Sequence, residues 1–252
     1  MNKNSTLLGL AILSLGLCSA PAQFGPAPGG SPLDNALSKV FGKETSFSAT
    51  MESHVKTAEL SQEMVMTGKI FVADGNSRSE MDMTKMKGGG LPPEALEQMK
   101  AMGMGEMIAI TRVDKKTMIM IYPGMEAYAK MPLPDSKNAE TNTAKVTTTE
   151  LGKEEVDGHP CLKKQVVATD KNGKPMTVLV WSATDLKGSP VKIEQTTPES
   201  SATMYFKNIS LEKPAAALFE PPANYKSYPT IQAMMQTEMM KRMGGGLGVP
   251  PQ

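Results

Sequence analysis

The clearest feature of the chain is a two-residue alternation of apolar and polar side chains. Phe47, Ala49 and Met51 alternate with Ser48 and Thr50, a period that is typical of a half-buried β-strand. Similar short segments follow at hairpin spacing, and together they predict a mainly β fold that is a sandwich, a barrel or a strongly curved sheet. The predicted strands span residues 45–53, 64–72, 79–84, 107–113, 117–122, 125–131, 145–156, 161–169, 176–182, 191–196 and 202–209. Asp74-Gly75-Asn76 is predicted to form the turn between the second and the third of them.

Three segments show a helical period instead. Residues 33–42 place their apolar side chains on one face and stop at a glycine. Residues 92–102 open with prolines and bring Leu96 and Met99 to one face, which predicts an amphipathic helix bracketed by glycines. Residues 230–243 are rich in methionine and end before a run of glycines, which predicts a final helix.

Residues 1–22 are typical of a secretory signal. Lys3 is followed by a short apolar run and by small residues up to Ala22, which is the layout of a cleaved leader. The chain is therefore predicted to be exported, most simply to a periplasm. Lipid attachment at Cys18 is the alternative, but Leu17 before it is bulkier than the small residue that such attachment requires.

The rest of the chain divides into three parts by composition. Residues 23–32 read as a flexible linker, residues 33–229 as one β domain, and residues 230–252 as the methionine-rich helix with a mobile tail. The leader holds one lysine and no acid, so its removal leaves the basic and acidic residues equal in number. A neutral chain predicts no nucleic-acid partner. No later apolar run is long enough for a transmembrane segment.

The pair His159 and Cys161 is the first candidate for chemistry. Four Cys or His ligands are usual for structural zinc, whereas the chain beyond the leader offers Cys161, His159 and His54. A single remaining cysteine also excludes an intramolecular disulfide. We interpret Asp157-Gly158 as a hairpin turn and Cys161 as a small apolar residue of the returning strand. The sequence contains none of the nucleophile, zinc-protease or phosphate-loop motifs, so we predict a protein that is not an enzyme and has no cofactor.

The methionines are the second candidate. The sequence has 22 Met against 6 Phe, 5 Tyr and 1 Trp, which is an unusual source of apolar side chains. Thioether sulfur suits Cu(I), so Met234, Met235, Met239 and Met240 form an alternative soft-metal site. Most methionines nevertheless fall on the apolar positions of predicted strands and helices, where Met fills irregular space. We therefore favour a core or a ligand-lining role, with no metal site.

Several blocks in order resemble exported LolA-like proteins of the outer-membrane lipoprotein-sorting superfamily, and most closely a related exported domain-of-unknown-function group. The blocks are Gly68-Lys69-Ile70-Phe71-Val72, residues 77–81, residues 110–123, residues 151–161 and residues 217–225. The resemblance implies a single, strongly curved antiparallel sheet, an incomplete barrel whose concave apolar side is covered by short helices. It also implies a hollow that receives acyl chains.

Pattern and resemblance together predict a binding or carrier protein that shelters an apolar ligand, either a lipid or the acyl chain of a lipoprotein. An envelope protein is a further partner to expect. The alternatives are the soft-metal protein and an envelope structural domain whose core is filled by its own side chains. The residues predicted to line the hollow are Ile108, Ile110, Met118, Met120 and Tyr122 from the strands, with Leu96 and Met99 from the helix that covers them.

Overall fold

A computed structural model describes residues 46–58, 60, 62–89, 92–133, 145–169 and 175–244. The predicted leader, the linker, the helix at 33–42 and the C-terminal tail lie outside these residues. The strands are β1 Phe47–Thr57, β2 Met64–Ala73, β3 Asn76–Asp82, β4 Glu106–Arg112, β5 Thr117–Tyr122, β6 Ala127–Pro132, β7 Lys145–Val156, β8 His159–Thr169, β9 Pro175–Ala183, β10 Ser189–Thr196, β11 Ser200–Ser210 and β12 Lys226–Tyr228. The α-helices are α1 Pro93–Ala101 and α2 Ile231–Gly244.

All twelve strands form one sheet in the order β12-β6-β5-β4-β3-β2-β1-β11-β10-β9-β8-β7. The strands β12 and β7 are its two edges, so the sheet is not closed into a barrel. The predicted single open sheet is confirmed. It is mixed rather than wholly antiparallel, because β12 pairs with β6 in parallel. The sequence does not predict β12, because three residues are too few to show an alternating pattern. This strand forms at the edge of the sheet by pairing with β6, which lies far from it in the sequence.

Two predicted strand ends are corrected by local structure. The strand predicted at 79–84 ends at Asp82, whose side chain caps the short 3-10 helix Met83–Lys85 by accepting a hydrogen bond from the Thr84 amide at 3.0 Å. The strand predicted at 125–131 begins only at Ala127. Pro123–Met125 forms a 3-10 helix first, because proline suits the opening turn of a helix.

Two predicted turns are confirmed by their backbone angles. Asp74 and Gly75 have φ of 53° and 77°, and Asp157 and Gly158 have φ of 52° and 79°. Two consecutive positive φ values are what a tight hairpin needs to match the twist of its strands. The EVDGHPC segment is therefore a β7–β8 hairpin.

One face of the sheet, here called the inner face, carries the largest buried cluster in the half made of β1 and β7–β11. Phe47, Val166, Val178, Ile193 and Phe206 all point from this face into one buried cluster. The described helices lie elsewhere, since α1 contacts the Met83–Lys85 turn and α2 contacts β6 and β12.

The opposite, outer face carries the core of the other half, made of β2–β6 and β12. Ile110, Ile119 and Ile121 point outward and are buried under Phe219. Phe219 belongs to residues 216–225, here called the strap, which crosses the outer face between β11 and β12. Arg78 and Arg112 hold the strap by donating to the Leu218 carbonyl at 2.9 Å and the Phe219 carbonyl at 3.1 Å.

Helix α2 packs on the inner face next to the β12 edge. Met234 is fully buried there against Ala127, Ala129 and Tyr228, and the buried Tyr228 hydroxyl donates a hydrogen bond to Glu238. Among the described residues, no helix has both the length and the apolar character needed to cross a membrane.

Candidate functional site

The inner face of β2–β6 is lined with methionines. The register places Met81 of β3 directly opposite Met107 of β4, and Met118 of β5 opposite Met131 of β6. Residues two apart in a strand share a face, which adds further members from β2 and β5. We call this surface the methionine face, and its members are Met64, Met66, Met81, Met107, Met118, Met120 and Met131.

These methionines are only partly covered. Met118 is buried, whereas the other members of the methionine face are half-buried. On the same face of the other half, Val178, Val180 and Ile193 are 0–2% exposed. The apolar surface of β2–β6 therefore retains contact with solvent that the rest of the inner face lacks.

Small residues lie between the methionines. Gly68 sits opposite Met81, and Ala109 lies between Ser79 and Met120. A Cβ atom at Gly68 would lie 2.4 Å from the Glu80 carbonyl oxygen and 3.3 Å from Met81 Cγ. The glycine lets the Met81 side chain lie across the strand. We interpret this pattern of long flexible side chains around small ones as a shallow groove with an adaptable surface.

Tyr122 lies at one end of this groove, beside the cluster that α2 forms with β6. Its hydroxyl lies 3.8 Å from the sulfur of Met107. Burial raises the pKa of Tyr122, because a phenolate would be poorly solvated here. The group therefore stays a neutral phenol and adds a single polar atom to an apolar lining.

Helix α1 lies at the same end of the groove. It packs against the Met83–Lys85 turn that follows β3, and its residues Leu96 and Met99 are half-buried. The end of α1 is tied to α2, because Arg242 donates to the Ala101 carbonyl at 3.0 Å and to the Gly124 carbonyl.

Gly103 lets the chain leave α1 close to the β5–β6 turn. It has φ of 78°, and a Cβ atom there would lie 2.7 Å from the Gly124 carbonyl oxygen. A side chain at this position would therefore both strain the backbone and collide with the turn.

The predicted lining residues fall on two different faces. Met118, Met120 and Tyr122 lie on the inner face, with Met118 and Met120 on the methionine face. Ile108 and Ile110 point from the outer face toward the strap. The structure therefore does not bring these five residues into one hollow. Leu96 and Met99 sit on α1, at the Tyr122 end of the groove.

Sequence reasoning did not select most of the methionine face. Met64, Met66, Met81, Met107 and Met131 all sit at alternating positions of segments that were predicted as strands. Counting the two-residue period through the hairpin registers, starting from the apolar positions of β1, would have placed them together. The information lies in the pairing between strands rather than in any one segment.

His159 and Cys161 do not form a nucleophile with its base. The Cys161 thiol donates to the His159 backbone carbonyl at 3.2 Å, while His159 Nδ1 lies 2.7 Å from Asp185 Oδ2. Burial raises the pKa of Cys161, which disfavours the reactive thiolate. Within the described part of the chain, no group of three or more His, Cys, Asp or Glu residues is placed to hold a metal ion.

The methionines of α2 also have separate environments. Met234 is fully buried against β6 and β12, Met235 and Met239 are half-buried, and Met240 is 66% exposed. Because these side chains range from the core to solvent, α2 does not gather the four predicted thioether ligands at one point.

A cleft of about 470 Å³ lies in the other half of the molecule. Its lining mixes charged and apolar side chains and contains no residue of the methionine face. The lining residues are Asp157, His159, Leu186, Phe206, Lys207, Asn208 and Ile209.

No protein-family model matches this chain, and no curated protein matches it. Solved structures that are similar to it include MucB, with 15% identity over 79% of this chain and 66% of that one at a TM-score of 0.40. A LolA superfamily protein from Nitrosomonas europaea has 9% identity over 74% of this chain and 94% of that one, at 0.34. The Mycobacterium tuberculosis lipoprotein LppX has 9% identity over 72% and 96%, at 0.37.

The resemblance to LolA-like proteins that the sequence predicts is thus found again among solved structures. The chain spans just under two thirds of the MucB chain and nearly all of the other two. Similarities at these TM-scores carry no argument about what the protein binds.

Proposed function

We propose that this chain is an exported, non-enzymatic protein that binds an acyl chain, of a lipid or of a lipoprotein, on its methionine face. One observation carries the proposal. The half formed by β2–β6 has a tightly packed core on the outer face, around Ile110 and Ile121, whereas its methionine face, beyond the part of β6 that α2 covers, is apolar and mostly half-buried. A protein that needed only a stable core would bury that surface.

The energetics favour a long hydrocarbon chain. Each methylene that leaves water contributes about 0.8 kcal/mol, so one chain of ordinary length offsets the cost of ordering the ligand and the side chains around it. Methionine side chains are unbranched and adaptable. They suit a ligand whose shape varies along its length better than β-branched side chains do.

Helix α1 is proposed as the cover. Leu96 and Met99 are half-buried at the Tyr122 end of the groove, and glycines with positive φ stand on both sides of the helix at Gly89 and Gly103. The link from Arg242 fixes the C-terminal end of α1. A cover held at one end can rotate away from the groove, as transfer of a ligand would require.

Two variants of the methionine face test the proposal in an assay in which palmitoyl lipids displace a bound fluorescent apolar dye. Met66→Gln and Met81→Gln keep the side-chain length but place an amide in the groove, where we expect each to weaken binding roughly tenfold or more. Met240→Gln is the matched control, since Met240 is exposed and lies on α2. Equal affinities for all three variants would contradict the proposal.

Native mass spectrometry of protein from its own host separates the alternatives. A co-purified lipid supports the proposal. Stoichiometric copper without lipid would support the soft-metal reading instead. A bare chain that also fails to take up lipid in the dye assay would favour a structural domain with a self-filled core.

A further inference from the structure

Six of the seven members of the methionine face are only half-buried, and Met118 is the exception at 3% exposure. Methionines also point inward in the first half of the sheet, but Met51 and Met204 are 8% and 7% exposed there, in the core around Val178. The inner face therefore carries the same thioether group in two environments, and solvent reaches it mainly on β2–β6.

The thioether sulfur is the reactive group of this surface. When hydrogen peroxide oxidises it by two electrons, a sulfur lone pair forms an S–O bond and the O–O bond breaks. The second oxygen takes up the proton of the transferred one and leaves as water. The sulfoxide is polar, and a methionine sulfoxide reductase restores the thioether with electrons from a thiol. Oxidation here therefore changes an apolar surface into a polar one reversibly.

Cys161, the one cysteine in the described part of the chain, does not compete for the oxidant. It is 2% exposed, and burial raises the pKa of its thiol, so the reactive thiolate is disfavoured. The accessible sulfur of the described strands is thus thioether sulfur, and most of it lies on the methionine face.

Tyr122 provides a hydrogen-bond donor for one of the sulfoxides. Its hydroxyl lies 3.8 Å from the sulfur of Met107, where the contact is weak because a thioether is a weak acceptor. The oxygen of a sulfoxide is polar. Oxidised Met107 would therefore gain a stronger hydrogen bond from the phenol than the thioether has.

The fold of β2–β6 has its stiff core elsewhere. The buried cluster around Ile110 and Ile121 on the outer face is built from alanine, isoleucine, leucine and aromatic side chains. Polar groups added to half-buried side chains of the inner face leave this cluster closed.

We propose that the methionine face is a site of reversible oxidation by peroxides, in which sulfoxides turn the face polar, the Tyr122 hydroxyl holds the Met107 sulfoxide, and the sheet stays folded. The modification needs no ligand. Its consequence rests on the proposed function, because a face that has become polar releases an acyl chain that burial held there.

Exposure of the full chain to hydrogen peroxide, followed by peptide mapping with mass spectrometry, measures the oxidation of each methionine. Met66, Met81 and Met120 should oxidise severalfold faster than Met118 and Met204. Met118 and Met120 give the sharpest comparison, because they lie two residues apart on the same face of β5. Equal rates for these five residues would overturn the inference, since oxidation would then proceed through unfolding.

Thermal melting tests whether the sheet stays folded and whether Tyr122 contacts the sulfoxide. The oxidised parent should keep one cooperative transition, and loss of that transition would contradict the inference. Oxidation should lower the melting temperature of Tyr122→Phe by more than that of the parent, because the Met107 sulfoxide has lost its donor. Equal shifts in the two proteins would refute the role of Tyr122.

The dye assay measures the consequence. The affinity of the parent for palmitoyl lipids should fall roughly tenfold or more after oxidation and return after treatment with a methionine sulfoxide reductase and its thiol reductant. A double variant, Met81→Leu with Met120→Leu, keeps the apolar volume but lacks two oxidisable sulfurs, so it should lose less affinity. Met240→Leu is the matched control, since Met240 is 66% exposed on α2, and it should lose as much as the parent.

The inference and the proposed function can fail separately. An oxidised parent that binds palmitoyl lipids as tightly as the untreated protein would overturn the inference. Failure of every palmitoyl lipid to displace the dye from the untreated parent would instead refute the proposed function, and the oxidation map would still test the modification.

Discussion

The main clusters of buried valine and isoleucine in the two halves lie on opposite faces of the sheet. In the half made of β1 and β7–β11, Val178 and Val180 point inward and are fully buried. In the half made of β2–β6, Ile110 and Ile121 point outward and are fully buried under the strap. Both cores use β-branched side chains, which are stiff, and the methionine face lies opposite the second core.

The outer face of the first half is built differently. Trp181 is 3% exposed there, covered by the ammonium groups of Lys163 and Lys192 at 4.7 and 4.3 Å from its ring centroid. Its indole N–H donates to Glu154 at 2.5 Å. Such lysine stems cover an aromatic ring while their charges remain in water. Cys161, Ala183 and Val191 are buried in one cluster with Trp181. The first half is therefore packed on both faces, whereas β2–β6 keep a methionine face that is mostly half-buried.

The largest expected effect comes from a pair of neighbours on β5. Ile121 points outward and is fully buried, and Met120 points inward and is half-buried. Ile121→Ala should lower the free energy of unfolding by about 2–5 kcal/mol, because it leaves a cavity in a closed core. Met120→Ala should cost about 1 kcal/mol or less, because its side chain is already partly in water. Urea unfolding followed by circular dichroism measures both.

The lipid affinities of the same pair should run the other way. Met120→Ala removes part of the groove and weakens binding, whereas Ile121→Ala leaves the affinity unchanged at temperatures where it is folded. If Met120→Ala proves as destabilising as Ile121→Ala, the two faces of β2–β6 are equally packed and the comparison between the halves fails.

The next largest effect concerns the strap. Arg112 binds the Phe219 carbonyl, Glu220 and Asp114 at once, and its guanidinium holds the pKa of Asp114 at about 2. Arg112→Lys keeps the charge but loses the forked geometry. We expect a loss of roughly 1–2 kcal/mol in unfolding free energy, measured by urea titration, with unchanged lipid affinity.

Lys115 provides the control for Arg112. It contacts the same Glu220 at 2.6 Å but is half-exposed at the surface, so Lys115→Gln should cost less than about 0.5 kcal/mol. A cost equal to that of Arg112→Lys would show that general surface charge, rather than hydrogen bonding to the strap backbone, holds residues 216–225 in place.

Much of this fold follows from the sequence, because alternation and turn chemistry are local. The Asp74-Gly75 turn between β2 and β3 and the Asp157-Gly158 turn between β7 and β8 were predicted, and the backbone angles confirm both. The strap was not predicted, since Phe219 and Tyr225 reach their partners through contacts far apart in sequence. The same is true of β12, which exists only because β6 is beside it.

The candidate site could be predicted only in part, for a related reason. Met120 and Ile108 belong to adjacent strands, yet they occupy opposite faces because the β4–β5 register pairs Ile108 with Ile121. A one-residue change in register exchanges the two faces, and both faces of β4 and β5 are apolar. Alternation alone therefore could not decide which side is covered by the strap and which remains open.

The smallest expected effect lies at the boundary between the halves, on the outer face of β1. His54 lies 2.9 Å from Glu52 and 3.2 Å from Glu63, which precedes β2, and its ring meets Tyr205 of β11 edge-on. The hydrogen bond to Glu52, which is also paired with Lys207, is the largest cause of a raised pKa for His54. Its protonated form is therefore favoured by folding.

This contribution should be complete below about pH 6.5, the ordinary pKa of histidine, and should be lost as the pH rises through the higher value of the folded state. Glu52, whose pKa is lowered, stays ionised throughout that range. Melting temperatures measured from pH 6 to 8.5 should fall less steeply for His54→Gln and for Glu52→Gln than for the parent protein. Because β1 joins the halves and the ion pairs lie on the face away from the groove, lipid affinity should not follow this titration. A parent-like slope in His54→Gln would place the pH dependence elsewhere, and a lipid affinity that tracked it would show that the two faces are coupled through β1.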